Sequence, residues 1–242
     1  KKQYGGSELE GKTLGVVGLG AIGAKIANLA LSLGMKVIGY DPKLSVEAAW
    51  QLSSNVTRAE NLNSLLARAD FITLHVPAVP ATVGFINEDA FSAIKEGAQL
   101  INLARGELVD ESSVIAALDS GKLTRYIADF PSEALIAHEK VILFPHLGAS
   151  TVEAEENCAV MGANQLVDFL DNGNIINSVN FPAVSMERTT GYRVTFANDN
   201  VPKVLGKVLN LLADLNINVL DIVNKSRDEI AYTILDIEQE PT

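Results

Sequence analysis

The chain has 242 residues, 48% hydrophobic and 20% charged, a balance that fits a globular protein of one or two domains with a substantial core. A formal net charge of −11 argues against a nucleic-acid or anionic-membrane surface, so an anionic ligand must be held by a local cluster of basic groups. One cysteine, Cys158, leaves no intramolecular disulfide and points to a reducing, cytoplasmic compartment, and no run approaches the ~18 apolar residues of a membrane span.

Residues 1–11 read as a polar, glycine-rich lead-in without a leader-like apolar run. Lys12 to Val17 is an apolar strand that enters Gly18-Leu19-Gly20-Ala21-Ile22-Gly23. These glycines open a helix in which Ile22, Ile26, Leu29 and Leu33 recur on one face, and Gly34 closes it. A G-x-G-x-x-G at a strand-to-helix turn suits a dinucleotide cradle, the alternative being a glycine-rich turn with no ligand. Gly18 permits the tight turn, Gly20 admits the phosphates and Gly23 lets the helix pack closely, with pyrophosphate on the free helix N–H groups. A second strand, Lys36 to Tyr40, ends in Asp41. That carboxylate suits ribose hydroxyls and repels a 2′-phosphate, which favours NAD over NADP, although Asp41-Pro42 also reads as a plain turn opener.

Ser45 to Gln51 is a short helix by composition, and Asn61 caps another through Ala69. Phe71 to His75 is a strand ended by Val76-Pro77. Asn87 caps a helix from Glu88 to Lys95, Ala98 to Leu103 is a strand, and Asp110 caps Glu111 to Asp119. Thr124 to Ala128 and Val141 to Phe144 are two more strands. Nearly continuous apolar strands alternating with helices predict a doubly wound parallel α/β sheet, a Rossmann domain over 12–150. Thr151 starts a long helix to about Asp171, and an irregular linker follows to about residue 187. Over 188–242 the order is strand Tyr192–Ala197, helix Val201–Leu215 and a hairpin of Ile217–Val223 with Ile230–Glu238. In that helix Val204, Leu205, Val208, Leu211 and Leu212 share a face. This predicts a small α+β module whose one helix covers only part of a sheet face, as if a further helix and strand belonged to it.

Ligands of such sheets bind beyond the carboxyl ends of the strands. His75 and Pro77 stand at one such end, Asn102 to Arg105 at the next, Asp129 with Glu133 shortly after at another, and His146 at the last. An Arg, two carboxylates and a His converging there suit hydride transfer on a 2-hydroxy or 2-keto acid. That chemistry needs a cation for the carboxylate and carbonyl, a proton acceptor, and a carboxylate to orient the acceptor. Taken singly, Arg105-Gly106 also reads as a solvated turn, Glu133 as surface, His146 as a structural histidine, His138 as a surface histidine and Cys158 as an inert core residue. Nothing has metal-ligand spacing.

Taken together, 15–23, Gly39 to Pro42, Leu74 to Pro77, Ile101 to Gly106, Asp129 to Glu133 and Pro145 to Ser150 resemble, in order, the motifs of D-isomer-specific 2-hydroxyacid dehydrogenases. The segments ending in Glu133 and around His146 resemble the branch that oxidises D-3-phosphoglycerate, and the module with Asn224 to Arg227 and Ala231 to Ile234 resembles an ACT regulatory domain. The resemblance implies a catalytic set of Arg105 on the substrate carboxylate and carbonyl, His146 as base, and Glu133 on His146. It implies cofactor contacts from Gly18, Gly20, Ala21, Ile22, Asp41, His75, Val76, Pro77, Thr82, Leu103, Ala104, Arg105, His146 and Gly148, with Asp129 on the nicotinamide carboxamide. It also implies a phosphorylated 2-hydroxy acid as substrate and a homo-oligomer, dimer or tetramer.

The chain departs from the family pattern at several points. Ala21 replaces an arginine, Asp129 lies four residues before Glu133 where five is commoner, and Lys203 replaces a helix-opening glycine, which argues against a serine site there. Family members carry roughly a hundred residues of substrate domain ahead of the cradle, to which the 151–187 stretch would return, so the chain reads as a piece of the enzyme. The expected reaction is NAD-dependent oxidation of D-3-phosphoglycerate to 3-phosphohydroxypyruvate at the entry to serine synthesis. The competing readings are a glyoxylate- or lactate-type dehydrogenase, and a non-catalytic NAD-binding regulatory fragment.

Overall fold

The computed structural model describes residues 6–240, which fall in two compact units, Lys1–Leu147 and Gly148–Thr242. The first begins with β1 (Thr13–Val17), α1 (Ala21–Ser32) and β2 (Lys36–Tyr40). It continues through α2 (Val46–Gln51), β3 (Thr57–Arg58), α3 (Leu62–Leu66), β4 (Phe71–Leu74) and α4 (Glu88–Ala93). Then come β5 (Ala98–Asn102), a 3₁₀ turn (Gly106–Leu108), α5 (Glu111–Asp119), β6 (Leu123–Ala128), α6 (Glu133–Ile136) and β7 (Val141–Leu143).

The strands form one seven-stranded sheet in the order β3-β2-β1-β4-β5-β6-β7, every pair parallel. Chain order reverses between β1 and β4, which makes that gap the topological switch point. Side chains alternate across β1: Leu14 and Val16 join the core under α1, and Val17 joins the larger core that includes Leu65 and Leu66 of α3. The sheet is thus covered on both faces, which is why its strands read as apolar runs.

Ser45, Asn61, Asn87 and Asp110 each accept a hydrogen bond from a backbone N–H of the helix that follows, as expected of caps. The face of α1 differs from expectation. Gly23, Ala24, Ala27 and Ala30 are its buried residues, while Ile22, Leu29 and Leu33 are exposed. The close approach forced at Gly23 leaves room only for small side chains against the sheet.

His138 also differs. Its ring is 14% exposed, its Nδ1 accepts the Lys140 N–H at 3.2 Å, and its Nε2 is 3.2 Å from Asp119 Oδ1. With Nδ1 an acceptor, Nε2 is the protonated nitrogen, so His138 ties the end of α5 to the turn before β7.

The second unit comprises α7 (Val152–Asn172), β8 (Tyr192–Asp199), α8 (Val204–Asp214), β9 (Val219–Arg227) and β10 (Ile230–Ile237). Its sheet is antiparallel in the order β8-β10-β9, with β10 central. Thr151 caps α7 and Gly173 ends it at φ 71°, where Tyr232 Oη donates to the Gly173 carbonyl at 2.8 Å. No residue of α7 is buried, and Cys158 is exposed on it rather than in a core. On α8 the half-buried positions are Val204, Leu205, Val208, Leu209 and Leu212, with Leu211 turned outward. Lys203, before α8, adopts φ 77°, the left-handed conformation that a glycine would suit. No helix among the described residues is long and apolar enough to cross a membrane.

Candidate active site at the carboxyl edge of the parallel sheet

The glycine turn leaves β1 at Gly18, whose φ is +90° and whose Cβ, if present, would lie 2.5 Å from the His75 carbonyl oxygen. A Cβ on Gly23 would stand 1.9 Å from the Gly18 carbonyl oxygen. No side chain fits either place without moving backbone. Gly20 is different: open space surrounds it, and it precedes α1 without a side-chain cap. The first helical bond runs from the Ala24 N–H to the Gly20 carbonyl at 3.0 Å, so the earlier N–H groups of exposed Ala21 and Ile22 face outward as donors. An anion meets both these donors and the positive helix end there.

Asp41 follows β2 and already holds the turn. Its Oδ2 accepts the Leu19 N–H at 2.9 Å and its Oδ1 accepts the Lys43 N–H at 2.8 Å. With Leu19, Gly39, Pro42, Leu52 and Arg58 it lines a cleft of about 330 Å³ beside the glycine turn. Replacing Asp41 by Ala is expected to weaken NADH binding roughly ten- to a hundredfold in a fluorescence titration, through lost hydrogen bonds to a charged acceptor. Unchanged affinity would remove the ribose from this cleft.

His75 lies beneath the turn. Its Nε2 is 2.9 Å from Thr73 Oγ1, and burial pushes its imidazole below the usual range, toward the neutral form. Val76 packs on the main core, and Pro77 follows on the exposed loop. The Thr82 hydroxyl donates to the Pro77 carbonyl at 2.5 Å and accepts the Val79 N–H at 2.9 Å, so it braces its own loop.

At the end of β5, fully buried Asn102 organises the next loop. Its Nδ2 donates to the Arg105 carbonyl at 2.8 Å, and its Oδ1 accepts the Ala104 N–H at 3.3 Å and the Arg105 N–H at 3.4 Å. Leu103 is exposed and Ala104 half-buried. Arg105 is exposed, and its Nη1 donates to its own neighbour's Ala104 carbonyl at 2.7 Å. A polar side chain closing an apolar strand is the sign in the sequence of Asn102's part.

Asp129 follows β6 directly and is 7% exposed. Its Oδ2 is 2.8 Å from His146 Nδ1, and its Oδ1 is buried without a partner. Phe130 stacks on the His146 ring with centroids 4.8 Å apart and planes tilted 40°, and its Cβ lies 3.2 Å from where a Cβ on Gly106 would be. The Arg105-Gly106 loop, Phe130 and His146 are therefore contiguous. One expectation is corrected. Nδ1 of His146 is held by Asp129 rather than by Glu133, which stands exposed at the start of α6. That bond takes Asp129 Oδ2 and leaves Oδ1 unbonded. The cause is register: Asp129 is the first residue past the strand, while Glu133 enters a helix capped by Ser132. Gly148, at the start of the second unit, has open space around it.

The fold and edge define a dinucleotide-binding α/β domain of the dehydrogenase kind. Residues 1–148 match the NAD binding domain of the D-isomer specific 2-hydroxyacid dehydrogenases, and the chain belongs to that family. It is 36% identical to D-3-phosphoglycerate dehydrogenase of Haemophilus influenzae and 35% identical to that of Escherichia coli, in each case over 98% of the chain and 60% of the relative. The chain thus spans somewhat over half the length of these two relatives.

Among solved structures, D-mandelate dehydrogenase of Rhodotorula graminis is similar at 33% identity and TM-score 0.62, covering 67% of this chain and 49% of that one. D-lactate dehydrogenase of Aquifex aeolicus, complexed with NAD and lactic acid, is similar at 28% identity and TM-score 0.58, covering 68% and 55%. The cradle fits the family's NAD: Gly18 and Gly23 close a turn no Cβ could enter, the helix start offers free N–H donors, and the Asp41 carboxylate stands beside the turn on the Leu19 N–H. Among the described residues no cluster of His, Cys, Asp and Glu could hold a metal ion.

Proposed function

We propose that the protein of which this chain is part oxidises D-3-phosphoglycerate to 3-phosphohydroxypyruvate with NAD. Bound NAD supplies the hydride acceptor. Gly18, Gly20, Ala21 and Ile22 hold its pyrophosphate, Asp41 its ribose, and the edge from His75 to Thr82 with Leu103 and Ala104 borders it. Arg105, with guanidinium N–H groups beyond the one spent on Ala104, binds the substrate carboxylate and carbonyl oxygen as a planar fork. His146 accepts the hydroxyl proton at Nε2 as the hydride leaves the α-carbon.

The observation that carries this reading is the 2.8 Å bond at Nδ1: with a carboxylate oxygen accepting there, Nδ1 is the donor and Nε2 presents a lone pair. The identities of 35–36% to D-3-phosphoglycerate dehydrogenases, above the 28% to the lactate enzyme, favour the phosphorylated substrate over a lactate or glyoxylate one. A purely NAD-binding regulatory role would need neither Arg105 nor His146 at this edge. The second unit is proposed as an ACT-like regulatory module and 151–187 as the connection to a substrate domain. A homo-oligomer working in the cytoplasm completes the reading.

The test is NADH formation by the full-length gene product with D-3-phosphoglycerate, D-lactate and glycolate offered in parallel. A clear preference in kcat/KM for the phosphorylated acid is expected. Preference for either unphosphorylated acid would move the reaction to the sibling class, and no turnover with full NADH binding would favour the regulatory reading.

A further inference from the structure

We infer that Asp129 is the positioning residue of the base His146, in the place where the family resemblance puts Glu133. This rests on the reading of His146 as base, but the contact itself stands apart from it. Asp129 is nine-tenths buried and immediately beyond β6, and its Oδ2 meets His146 Nδ1 at 2.8 Å. Its other oxygen is buried and has no partner, so this desolvated carboxylate has the imidazole as its one hydrogen-bonding side chain.

Phe130, the next residue, lies against the same ring, so two consecutive residues fix its edge and its face. Glu133 offers neither. It is exposed in the first turn of α6, where solvent and the positive helix end satisfy it. A solvated carboxylate screens its own field, whereas a buried one delivers it to the ring. Among the described residues, Asp129 is the charged side chain hydrogen-bonded to the imidazole, and Phe130 separates the ring from the loop at Gly106.

Asp129 therefore does three things for the base. It fixes Nδ1 as the protonated nitrogen, turns Nε2 toward the sheet edge, and stabilises the imidazolium formed when the substrate proton arrives. The orienting carboxylate of this chain thus stands at a strand end, while Glu133 stands exposed at the start of a helix.

In ¹⁵N-histidine spectra of the full-length protein, the signals of His75, His138 and His146 are each assigned by substitution. Asp129→Asn is expected to shift the His146 titration midpoint to lower pH and abolish its hydrogen-bonded Nδ1–H resonance. It should also move the acid limb of the pH–rate profile to lower pH, with kcat falling on the order of a hundredfold. Glu133→Gln is expected to leave the resonance and midpoint in place and to cost a few-fold in kcat. The His75 and His138 signals report whether either variant has misfolded.

If Glu133→Gln removes the Nδ1–H resonance, or Asp129→Asn leaves the midpoint where it was, Asp129 is not the positioning residue. Should the midpoints behave as expected while no 2-hydroxy acid is turned over, the contact stands and the dehydrogenase reading fails.

Discussion

His146→Asn in the full-length protein is expected to lower kcat with D-3-phosphoglycerate by on the order of 10²–10⁴-fold while leaving the thermal transition nearly in place. The asparagine amide sets an N–H close to where the imidazole Nδ1–H lies, so Asp129 keeps a donor, but nothing stands at the Nε2 position to receive the proton. His146→Ala removes both. It leaves a buried carboxylate with neither oxygen bonded, at a cost of about 1–3 kcal/mol. The loss of the Phe130 stack adds less, because the His146 side chain is 53% exposed. Comparing the two variants by turnover and by calorimetry separates proton transfer from support of Asp129. Turnover of His146→Asn within a few-fold of the parent would place the base elsewhere.

The parts of the fold legible in the sequence were those that local chemistry dictates. Asn61, Asn87 and Asp110 cap as their short polar side chains allow, and Gly18 and Gly23 sit where the backbone admits nothing larger. β3 escaped notice because Thr57–Arg58 is two exposed residues without an apolar pattern. Of the stripe Ile22, Ile26, Leu29, Leu33, Ile26 alone packs on the core and the other three are exposed. Periodicity identifies a helix, but the separation of helix and sheet, set here by Gly23, decides which side chains fit between them.

The same limit governs the site. Sequence brought Arg105, Asp129, Glu133 and His146 to one edge, since strand ends are readable. Which carboxylate meets the imidazole depends on whether each lies on a strand end or a helix turn, and α6 is four residues long with no apolar repeat to announce it. Asn102 was hidden for a related reason. Its amide serves backbone groups two and three residues ahead, and such a bond leaves no periodic trace.

In the second unit the largest expected effect on stability lies at Arg193. Its Nε and Nη2 donate to the two oxygens of Asp236 at 2.8 and 2.9 Å, and Nη1 donates to the carbonyls of Asn172 at 3.0 Å and Met186 at 2.9 Å. Both side chains are buried, Arg193 at 4% and Asp236 at 0% exposure. Asp236 lies on the central strand β10, so the fork ties the end of α7 and the linker to the middle of the sheet.

Arg193→Ala strands the carboxylate and is expected to cost about 3–5 kcal/mol, read as faster hydrogen exchange of the β10 amides. Arg193→Met with Asp236→Leu should recover much of that loss, because the desolvation of both charges disappears with them. The fork and the Thr189 donors hold the Asp236 carboxyl at about 2, against an ordinary 3.8. A depressed carboxyl stabilises the fold above its unfolded value and loses that contribution as pH falls through the folded one. The unit should therefore lose about 2 kcal/mol between roughly pH 4 and pH 2, and Asp236→Asn should flatten that slope. If Arg193→Ala left β10 exchange as in the parent, the fork would be a by-product of a sheet held by its apolar face alone.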